Sequence, residues 1–371
     1  MQGLYIHIPF CRQKCLYCDF TSYAGREDII DEYIDALCAE ISAGASSSCL
    51  PLSIFFGGGT PSLLSAAQMG KIVQSLKEKG CWQDGQERSI EANPGTVDED
   101  KLRFYQDIGF NRISFGVQSF QDDKLKSIGR VHAGEEAETA VLMAKKAGIS
   151  NINIDLMYGL PGQSIDDIKS DIDKAALLGV QHISCYGLTV EEGTPLDRLV
   201  LDKTVLLPEQ DDFYDFVTAY LPQKGFRRYE ISNYAKEGYE CAHNKLYWQY
   251  ENYKGFGCAA CSFENRRRTT NTFNIDTYIK GKGQTGKELE DIDKATAMAE
   301  FVFMGLRQTA GISVSAFSKK FGQDIFSVYG KEISEHQKSG WMQVDKDVIR
   351  LTDEGMRIGN KIFLTFLPLI Y

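Results

Sequence analysis

The segment LYIHIPFCRQKCLYCDF, residues 4–20, joins an apolar run to three closely spaced cysteines. The run Leu4–Phe10 has the length and apolar character of a buried β-strand. Cys11, Cys15 and Cys18 follow it in a C-x3-C-x2-C spacing. Three thiolates this close together can bind three irons of a [4Fe–4S] cluster, because thiolate is the usual ligand of such clusters. One iron then has no cysteine from this segment and is free to bind another ligand.

Zinc binding and core packing are the alternative uses of these cysteines. Structural zinc sites usually combine two cysteine pairs, or a cysteine pair and a histidine pair, rather than three cysteines in one run. Core packing is disfavoured because Arg12 and Lys14 make the segment more polar than ordinary core. Ligation of an iron–sulfur cluster is therefore the favoured interpretation.

The composition indicates a globular protein with a core of its own. The 371 residues are 43% hydrophobic and 25% charged, which suits one large domain and a smaller one. The net charge of −10 argues against a nucleic-acid partner, because phosphate binding needs a cationic face. Oxygen-sensitive thiolate ligands fit a reducing compartment, so we expect a cytoplasmic location. No apolar run has the length of a membrane span, although peripheral contact with a membrane stays open.

Strand-like and helix-like segments alternate from residue 1 to about residue 225. This alternation predicts parallel strands joined by helices, and six such units predict an α/β fold with a partial (β/α)6 barrel. The predicted strands are Leu4–Ile8, Ser53–Phe56, Ser89–Ala92, Ile113–Val117, Ile152–Met157 and Ile183–Leu188. The predicted helices include Ile29–Ile41, Met69–Lys79, Glu135–Ala147 and Asp166–Leu178.

Glycines and polar residues stand where these predicted strands end. Functional groups of parallel α/β sheets gather at the carboxyl ends of the strands. Each of these residues alone is as typical of a turn or a strand end as of a site, so the prediction depends on their shared position. The residues of this predicted rim are Cys11, Cys15, Cys18, Gly57, Gly58, Gly59, Thr60, Glu91, Gln118 and Asp155.

The last third of the chain has a different character. Residues 226–293 are rich in Tyr, Asn, Gly and Arg, and we expect an irregular connecting region there. Residues 294–371 predict a smaller helical domain of α+β type, with helices at Ala295–Arg307 and Val314–Phe321 and a hairpin within Met342–Leu351. The predicted domains are therefore a core at 1–225, a connecting region at 226–293 and a C-terminal domain at 294–371.

The cysteine segment resembles the radical S-adenosylmethionine (SAM) superfamily. YIHIPF before the first cysteine and YCDF at residues 17–20 are similar to the oxygen-independent coproporphyrinogen III oxidase family, in particular its heme-chaperone branch. The oxidase branch typically has a fourth cysteine where this chain has Phe20. The resemblance extends over nearly the whole chain, including the C-terminal domain. It implies reductive cleavage of SAM by an electron from a [4Fe–4S] cluster.

The same resemblance implies which residues contact SAM. A carboxylate can accept hydrogen bonds from two ribose hydroxyls, and an arginine can pair with a methionyl carboxylate through two parallel hydrogen bonds. Glycines let the backbone approach a ligand because they have no Cβ. The implied SAM-binding residues are Tyr5, Gly58, Gly59, Thr60, Glu91, Gln118, Arg130 and Asp155.

The run CAHNKLYW, residues 241–248, contains H-N-x-x-Y-W, which resembles a heme-associated signature of the heme-chaperone branch. Imidazole is a common ligand of heme iron, and aromatic rings pack on porphyrin faces, so His243 is the candidate heme-binding residue. Cys241 is an alternative, thiolate, ligand. Taken alone, the run is more typical of a surface turn that buries two aromatic residues.

The resemblance therefore implies a heme chaperone that binds one [4Fe–4S] cluster, SAM and heme, and delivers heme to an apo-hemoprotein. The alternative is a coproporphyrinogen III dehydrogenase of porphyrin biosynthesis, so whether the chain is an enzyme stays open. A pure electron-transfer iron–sulfur protein is a third interpretation, which the glycine loop and the polar rim disfavour. A small electron-donor protein, such as flavodoxin or ferredoxin, is the further partner we expect.

Overall fold

Six parallel strands form the centre of a large sheet in the computed structural model, which describes residues 3–45, 50–284 and 286–368. They are β1 (Gly3–Ile8), β2 (Ser53–Gly58), β3 (Glu87–Ala92), β4 (Arg112–Gln118), β5 (Asn151–Tyr158) and β6 (His182–Gly187). Leu4, Ile6 and Ile8 of β1 are fully buried in the main hydrophobic core. Because side chains alternate along a strand, Tyr5 and His7 lie on the opposite face, toward the interior of the barrel.

Helices connect or follow these strands. They are α1 (Ile30–Gly44), α2 (Ala66–Glu78), α3 (Glu99–Ile108), α4 (Asp122–Ser127), α5 (Gly134–Lys146), α6 (Ile165–Leu177), α7 (Pro195–Leu201) and α8 (Asp211–Gln223). Among them, α7 packs against the cysteine segment through Leu196 and Leu16. A capping box starts α2, because the Ser65 side chain accepts from the Gln68 backbone and the Gln68 side chain accepts from the Ser65 backbone. The predicted α/β fold with a partial barrel of six strand–helix units is confirmed. In the described residues, no helix is both long and apolar enough to cross a membrane.

Residues 226–293, which we expected to be irregular, extend the sheet at both edges. Beyond β6 lie β7 (Arg227–Arg228) and β8 (Asn233–Ala235), and beyond β1 lie β9 (Tyr253–Phe256), β10 (Cys261–Glu264), β11 (Arg267–Thr270) and β12 (Glu288–Asp291). β9 pairs in parallel with β1. The helices of this region are α9 (Ala242–Trp248) and α10 (Ile275–Lys280). Strands of two to four residues are too short to show a clear alternation in the sequence.

The C-terminal part packs around a second hydrophobic core, to which Tyr250 and Phe263 of the preceding region also contribute. α11 (Lys294–Gly305) and α12 (Val314–Phe321) match the predicted helices, and β14 (Met342–Asp345) and β15 (Val348–Leu351) form the predicted hairpin, with β13 (Ile312–Ser313) paired to β15. Three further helices, which were not predicted, are α13 (Ile325–Lys338), α14 (Asp353–Arg357) and α15 (Gly359–Leu364). α13 contains Gly330 and is kinked at Tyr329, where φ is −122°, and both features weaken its helical pattern.

Candidate functional site

A cavity of about 450 Å³ opens at the carboxyl ends of the parallel strands. Nearly all of the predicted rim lines this cavity. Its lining includes Cys11, Cys15, Cys18, Gly58, Gly59, Thr60, Glu91, Gln118, Arg130 and Asp155. These residues come from separate strand ends and loops, so only the folded chain brings them together.

The three cysteines are free, half-buried thiols on one wall of the cavity. Thr60 Oγ1 lies 3.6 Å from Cys11 Sγ, and Arg130 Nη1 lies 3.4 Å from Cys15 Sγ. Hydrogen-bond donors and a cation stabilise thiolate relative to thiol. Burial raises the pKa of the Cys18 thiol. Two of the three sulfur atoms thus already have a hydrogen-bond donor beside them.

Within the described residues, no group of three or more His, Cys, Asp or Glu side chains is placed to hold a single metal ion. This arrangement suits a cubane, in which three cysteines bind three separate irons. Cys258 and Cys261 also have C-x2-C spacing, as in half of a zinc site. However, Cys258 Sγ donates to the Thr272 carbonyl at 3.1 Å, and Cys261 Sγ donates to the Ser262 carbonyl at 3.6 Å. Their different partners support a structural role for this second pair.

The glycine loop after β2 packs directly against the cysteine segment. Gly58 has a φ of +115°, which favours glycine, and a Cβ there would lie 2.6 Å from the His7 ring. A Cβ on Gly59 would lie 2.6 Å from the Phe10 carbonyl oxygen and 3.0 Å from Cys11 Sγ. The glycines therefore allow the loop to support Cys11 as well as to expose backbone to a ligand.

Glu91 and Asp155 are two half-buried acids in the cavity wall. Burial, and secondly the charge of Asp155, raise the pKa of Glu91 to about 8. Burial also raises the pKa of Asp155, although Ser184 and Asn153 donate hydrogen bonds to it. The Gly58 N–H donates to Glu91 Oε2 at 3.2 Å. A cationic ligand would stabilise the ionised forms of both acids.

Gln118 ends β4 in a strained conformation. Its φ is +67°, and the Ser119 N–H donates to the Val117 carbonyl at 2.9 Å, which closes a γ-turn. The Tyr186 hydroxyl donates to Gln118 Oε1 at 3.2 Å and holds the side chain in place. Strain of this kind persists where the surrounding structure enforces it, often at ligand sites.

Arg130 links the cysteine wall to the strand ends. Its Nη2 donates to Asn93 Oδ1 at 2.7 Å and to the Gly116 carbonyl, in addition to the Cys15 contact. Its buried Nε has no hydrogen-bond partner among the described residues. The guanidinium is therefore fixed in position with one donor still unsatisfied.

The structure places two predicted binding residues behind the cavity wall. Tyr5 hydrogen-bonds to His7 Nδ1 at 3.0 Å, and its ring stacks on His243 with a centroid separation of 6.4 Å. His243 is 1% exposed, and its ring nitrogens bond to Ser53 Oγ at 2.8 Å and to the Tyr247 hydroxyl at 2.9 Å. Burial, and secondly the charge of Arg112, lower the pKa of His243 to about 3. The imidazole is therefore neutral and engaged on both sides.

Glu87 fixes the beginning of α9, where the heme-like signature lies. Its carboxylate accepts from the backbone N–H groups of Ala242 at 2.9 Å and His243 at 3.1 Å, and from Cys241 Sγ at 3.4 Å. Burial raises the pKa of Cys241 to about 12, so its thiol stays protonated at pH 7. The signature reaches the cavity through Asn244, which is one of the lining residues.

Comparison with known proteins identifies the family. Residues 5–175 match the Radical SAM superfamily, and residues 292–358 match the HemN C-terminal domain. The chain is 36% identical to the heme chaperone HemW of Bacillus subtilis (strain 168), over 99% of each chain. It is 34% identical to the heme chaperone HemW of Escherichia coli (strain K12), over 98% of each chain. The chain belongs to the HemW family.

The fold of this HemW family member also occurs in a solved structure. The coproporphyrinogen III oxidase HemN from Escherichia coli, described as a radical SAM enzyme, superimposes with a TM-score of 0.84. The match covers 98% of this chain and 89% of that one, at 24% sequence identity. At this identity the likeness establishes the common fold, in agreement with the predicted architecture.

Radical SAM proteins hold a [4Fe–4S] cluster and SAM, and the cavity of this HemW family member fits both. The donor set has three free thiols on one wall, as a cubane with one open iron requires. The acids Glu91 and Asp155 in the cavity wall suit a ligand that carries ammonium and sulfonium charges. A bound cluster would supply an electron to SAM, whereas the protein residues would bind, orient and shield the ligands.

Several lining residues of the HemW family cavity were not predicted. They are Tyr17, Asn93, Arg112, Asn153, Ser184, Tyr186, Asn233 and Asn244. Tyr17 precedes Cys18 and Asn93 closely follows Glu91, so both could have been predicted from their neighbours in the sequence. Arg112 opens β4 and Asn233 lies in a strand of three residues, so neither occupies a strand end that the sequence could identify.

Proposed function

We propose that this protein is a heme chaperone that holds one [4Fe–4S] cluster and SAM, binds heme, and transfers it to apo-hemoproteins. The observation that carries the proposal is full-length similarity to proteins named heme chaperone HemW, at 36% and 34% identity. The oxidase HemN shares the fold at 24% identity. The closer likeness therefore favours the chaperone function over coproporphyrinogen III dehydrogenase activity.

Phe20 supports the same proposal. It is 64% exposed and lines the cavity, at the position where the oxidase branch typically has a fourth cysteine. A phenyl ring cannot ligate iron, but it offers a flat apolar surface of the kind that packs on a porphyrin.

Within this proposal the residues have distinct roles. Cys11, Cys15 and Cys18 ligate the cluster. The SAM-binding residues are Tyr5, Gly58, Gly59, Thr60, Glu91, Gln118, Arg130 and Asp155. Tyr5 acts from behind the cavity wall, where it supports His7 and Phe55.

His243 is the proposed axial ligand of heme. Its neutral imidazole suits iron ligation, but both ring nitrogens are occupied. Ligation therefore requires α9 to move far enough to release the bond to Ser53 or to Tyr247. Cys241 is the alternative ligand and would first have to lose its proton.

Further parts of the proposal concern domains and partners. We place a radical SAM core at 1–225, a connecting region at 226–293 and a C-terminal domain at 294–371. A flavodoxin or ferredoxin would supply electrons, and the protein would act in the cytoplasm. The acidic net charge of −10 gives no support for a nucleic-acid partner.

The deciding experiment compares two ligands on the anaerobically reconstituted protein. One sample receives heme, and a second receives coproporphyrinogen III, SAM and a reductant. We expect a stable Soret band with heme and no vinyl-containing product from coproporphyrinogen III.

A matched control uses a Cys15→Ala variant, which separates heme binding from cluster-dependent turnover. Absence of heme binding, together with SAM-dependent formation of protoporphyrinogen IX, would assign the protein to the dehydrogenase alternative.

A further inference from the structure

Arg112 is a buried cation without an ion-pair partner inside the barrel. Its side chain is 2% exposed, it stands at the start of β4, and it lines the cavity. The Nε of Arg112 has no hydrogen-bond partner among the described residues. Within the same residues, Arg112 forms no ion pair. By contrast, the buried Arg88 on β3 pairs with Asp84 at 3.5 Å and stacks on Trp82.

The acids that act on Arg112 electrostatically are already engaged. The carboxylates concerned are Glu87, Glu91 and Asp155, of which Glu91 accepts from the Gly58 N–H at 3.2 Å. Glu87 binds the beginning of α9, and Asp155 accepts from Asn153 at 2.7 Å. A buried charge without a direct partner is unfavourable, so a ligand that pairs with Arg112 would stabilise it.

A second unsatisfied polar group lies in the same wall. Asn233, on β8, lines the cavity, and its buried Oδ1 has no donor in the described residues. Asn244, from the heme-like signature on α9, lines the cavity as well. We call Arg112, Asn233 and Asn244 the cavity floor. The unpartnered Nε of Arg112 is a donor and suits an anionic ligand group, whereas the unpartnered Oδ1 of Asn233 is an acceptor and needs a donor from the ligand or from water.

We propose that Arg112 pairs with a carboxylate at the cavity floor, and that this carboxylate is a propionate of the tetrapyrrole. An arginine fork matches a carboxylate in two parallel hydrogen bonds. The inference rests on the proposed function, since it assumes that the cavity receives heme. The methionyl carboxylate of SAM is the other possible source, but Arg130 beside Cys15 is already placed for it.

The test combines a protein variant with a ligand variant. Wild-type protein and Arg112→Gln, both carrying the cluster, are titrated with heme and with heme dimethyl ester, and Soret absorbance is followed. Wild type should bind the ester about tenfold or more weakly than heme, the loss expected for a hydrogen bond between charged groups. Arg112→Gln should bind both ligands equally, because the group that distinguishes them is absent.

Arg88→Gln is the matched control, since it removes a buried arginine outside the cavity and should keep the full preference for heme. Asn244→Asp keeps Arg112 and places a competing carboxylate on the cavity floor, so it should also weaken the preference. It replaces the first variant if Arg112→Gln does not fold.

Three outcomes overturn the inference. In the first, the preference for heme persists in Arg112→Gln, or in Asn244→Asp where that variant replaces it. In the second, calorimetry shows that Arg112→Gln loses SAM affinity while the preference for heme is unchanged, which assigns the carboxylate to SAM. In the third, wild type binds no heme at all, which refutes the proposed function and this inference together. If heme binds but the preference for heme over its ester does not depend on Arg112, the inference is refuted and the proposed function is not.

Discussion

The cysteine wall and α9 carry the two sequence motifs of this protein, and the fold treats them differently. Cys11, Cys15 and Cys18 all line one cavity as free thiols. At α9, the side chains of His243 and of the preceding Cys241 are buried and hydrogen-bonded, and Asn244 is the motif residue that lines the cavity. A motif of short, fixed spacing follows its strand end, whereas a motif on a helix depends on which face the helix buries.

The comparison also shows two ways in which a side chain can be prepared for a ligand. Cys15 faces open space and has Arg130 as a donor beside it. His243 has two partners in the protein and must lose one before it can bind iron. The first site needs a ligand to complete it, whereas the second needs a conformational change before it can be used.

The largest effect is expected at the cysteine wall. Cys15→Ala should abolish the cluster, because two remaining thiols cannot hold a cubane with three protein ligands. Iron content should fall from about four per chain to background, with loss of the visible absorption. Cys38→Ala is the control, since that thiol lies outside the cavity and donates to the Lys71 carbonyl at 3.8 Å. A full cluster in Cys15→Ala would disprove the assignment.

A smaller effect is expected in α9. His243→Ala removes the bonds to Ser53 and Tyr247 and leaves a buried space, which should reduce the free energy of unfolding by roughly 2–4 kcal/mol. If His243 ligates heme, the same variant should also shift the Soret band.

Tyr247→Phe is the matched control for this variant. It removes one hydroxyl partner, should cost about 1 kcal/mol, and should keep the Soret band in place. Cys241→Ala tests the thiolate alternative in the same assay. An unchanged Soret band in His243→Ala would leave the motif with a packing role alone.

The smallest effect concerns the pH dependence at Glu91. Its pKa in the folded, ligand-free protein is about 8, above the ordinary value of 4.5, so the folded chain holds a proton that the unfolded chain releases. The contribution of Glu91 to the free energy of unfolding is therefore highest at low pH and decreases as the pH rises from 4.5 to about 8. Cationic SAM prefers the ionised acid, so its affinity should be roughly tenfold lower at pH 7 than on the plateau above pH 8.

Glu91→Gln should remove this dependence both from SAM calorimetry and from the melting temperature. Because glutamine does not titrate, the variant should be relatively more stable than wild type at high pH. Equal SAM affinity of the wild type at neutral and alkaline pH would show that Glu91 does not face the ligand.

The sequence predicted the parallel sheet and most of the rim because both follow from short-range patterns. Apolar runs identified β1 to β6, and residues at their ends met in one cavity because parallel strands end at one edge. The environment of His243 was not predictable in this way. It depends on Ser53 from β2 and Glu87 from β3, which are distant in sequence.

The cavity floor was missed for a related reason. Arg112 stands at the beginning of a strand, and position alone would place it at the opposite edge of the sheet from the rim. Its long side chain lines the cavity from within the barrel. Asn233 belongs to an antiparallel strand of three residues, whose pairing with β6 no periodicity could indicate.

The pairing of β9 with β1 has a consequence for how the chain is made. β1, which leads into the cysteines, lies between β2 and β9, and β9 comprises Tyr253–Phe256. During synthesis, one side of β1 therefore stays an unpaired edge until these late residues leave the ribosome, and such edges promote aggregation. Cluster insertion is best timed after that pairing, because only then is the strand that carries the cysteines held on both sides. A fragment cut at residue 225 would keep this edge exposed permanently.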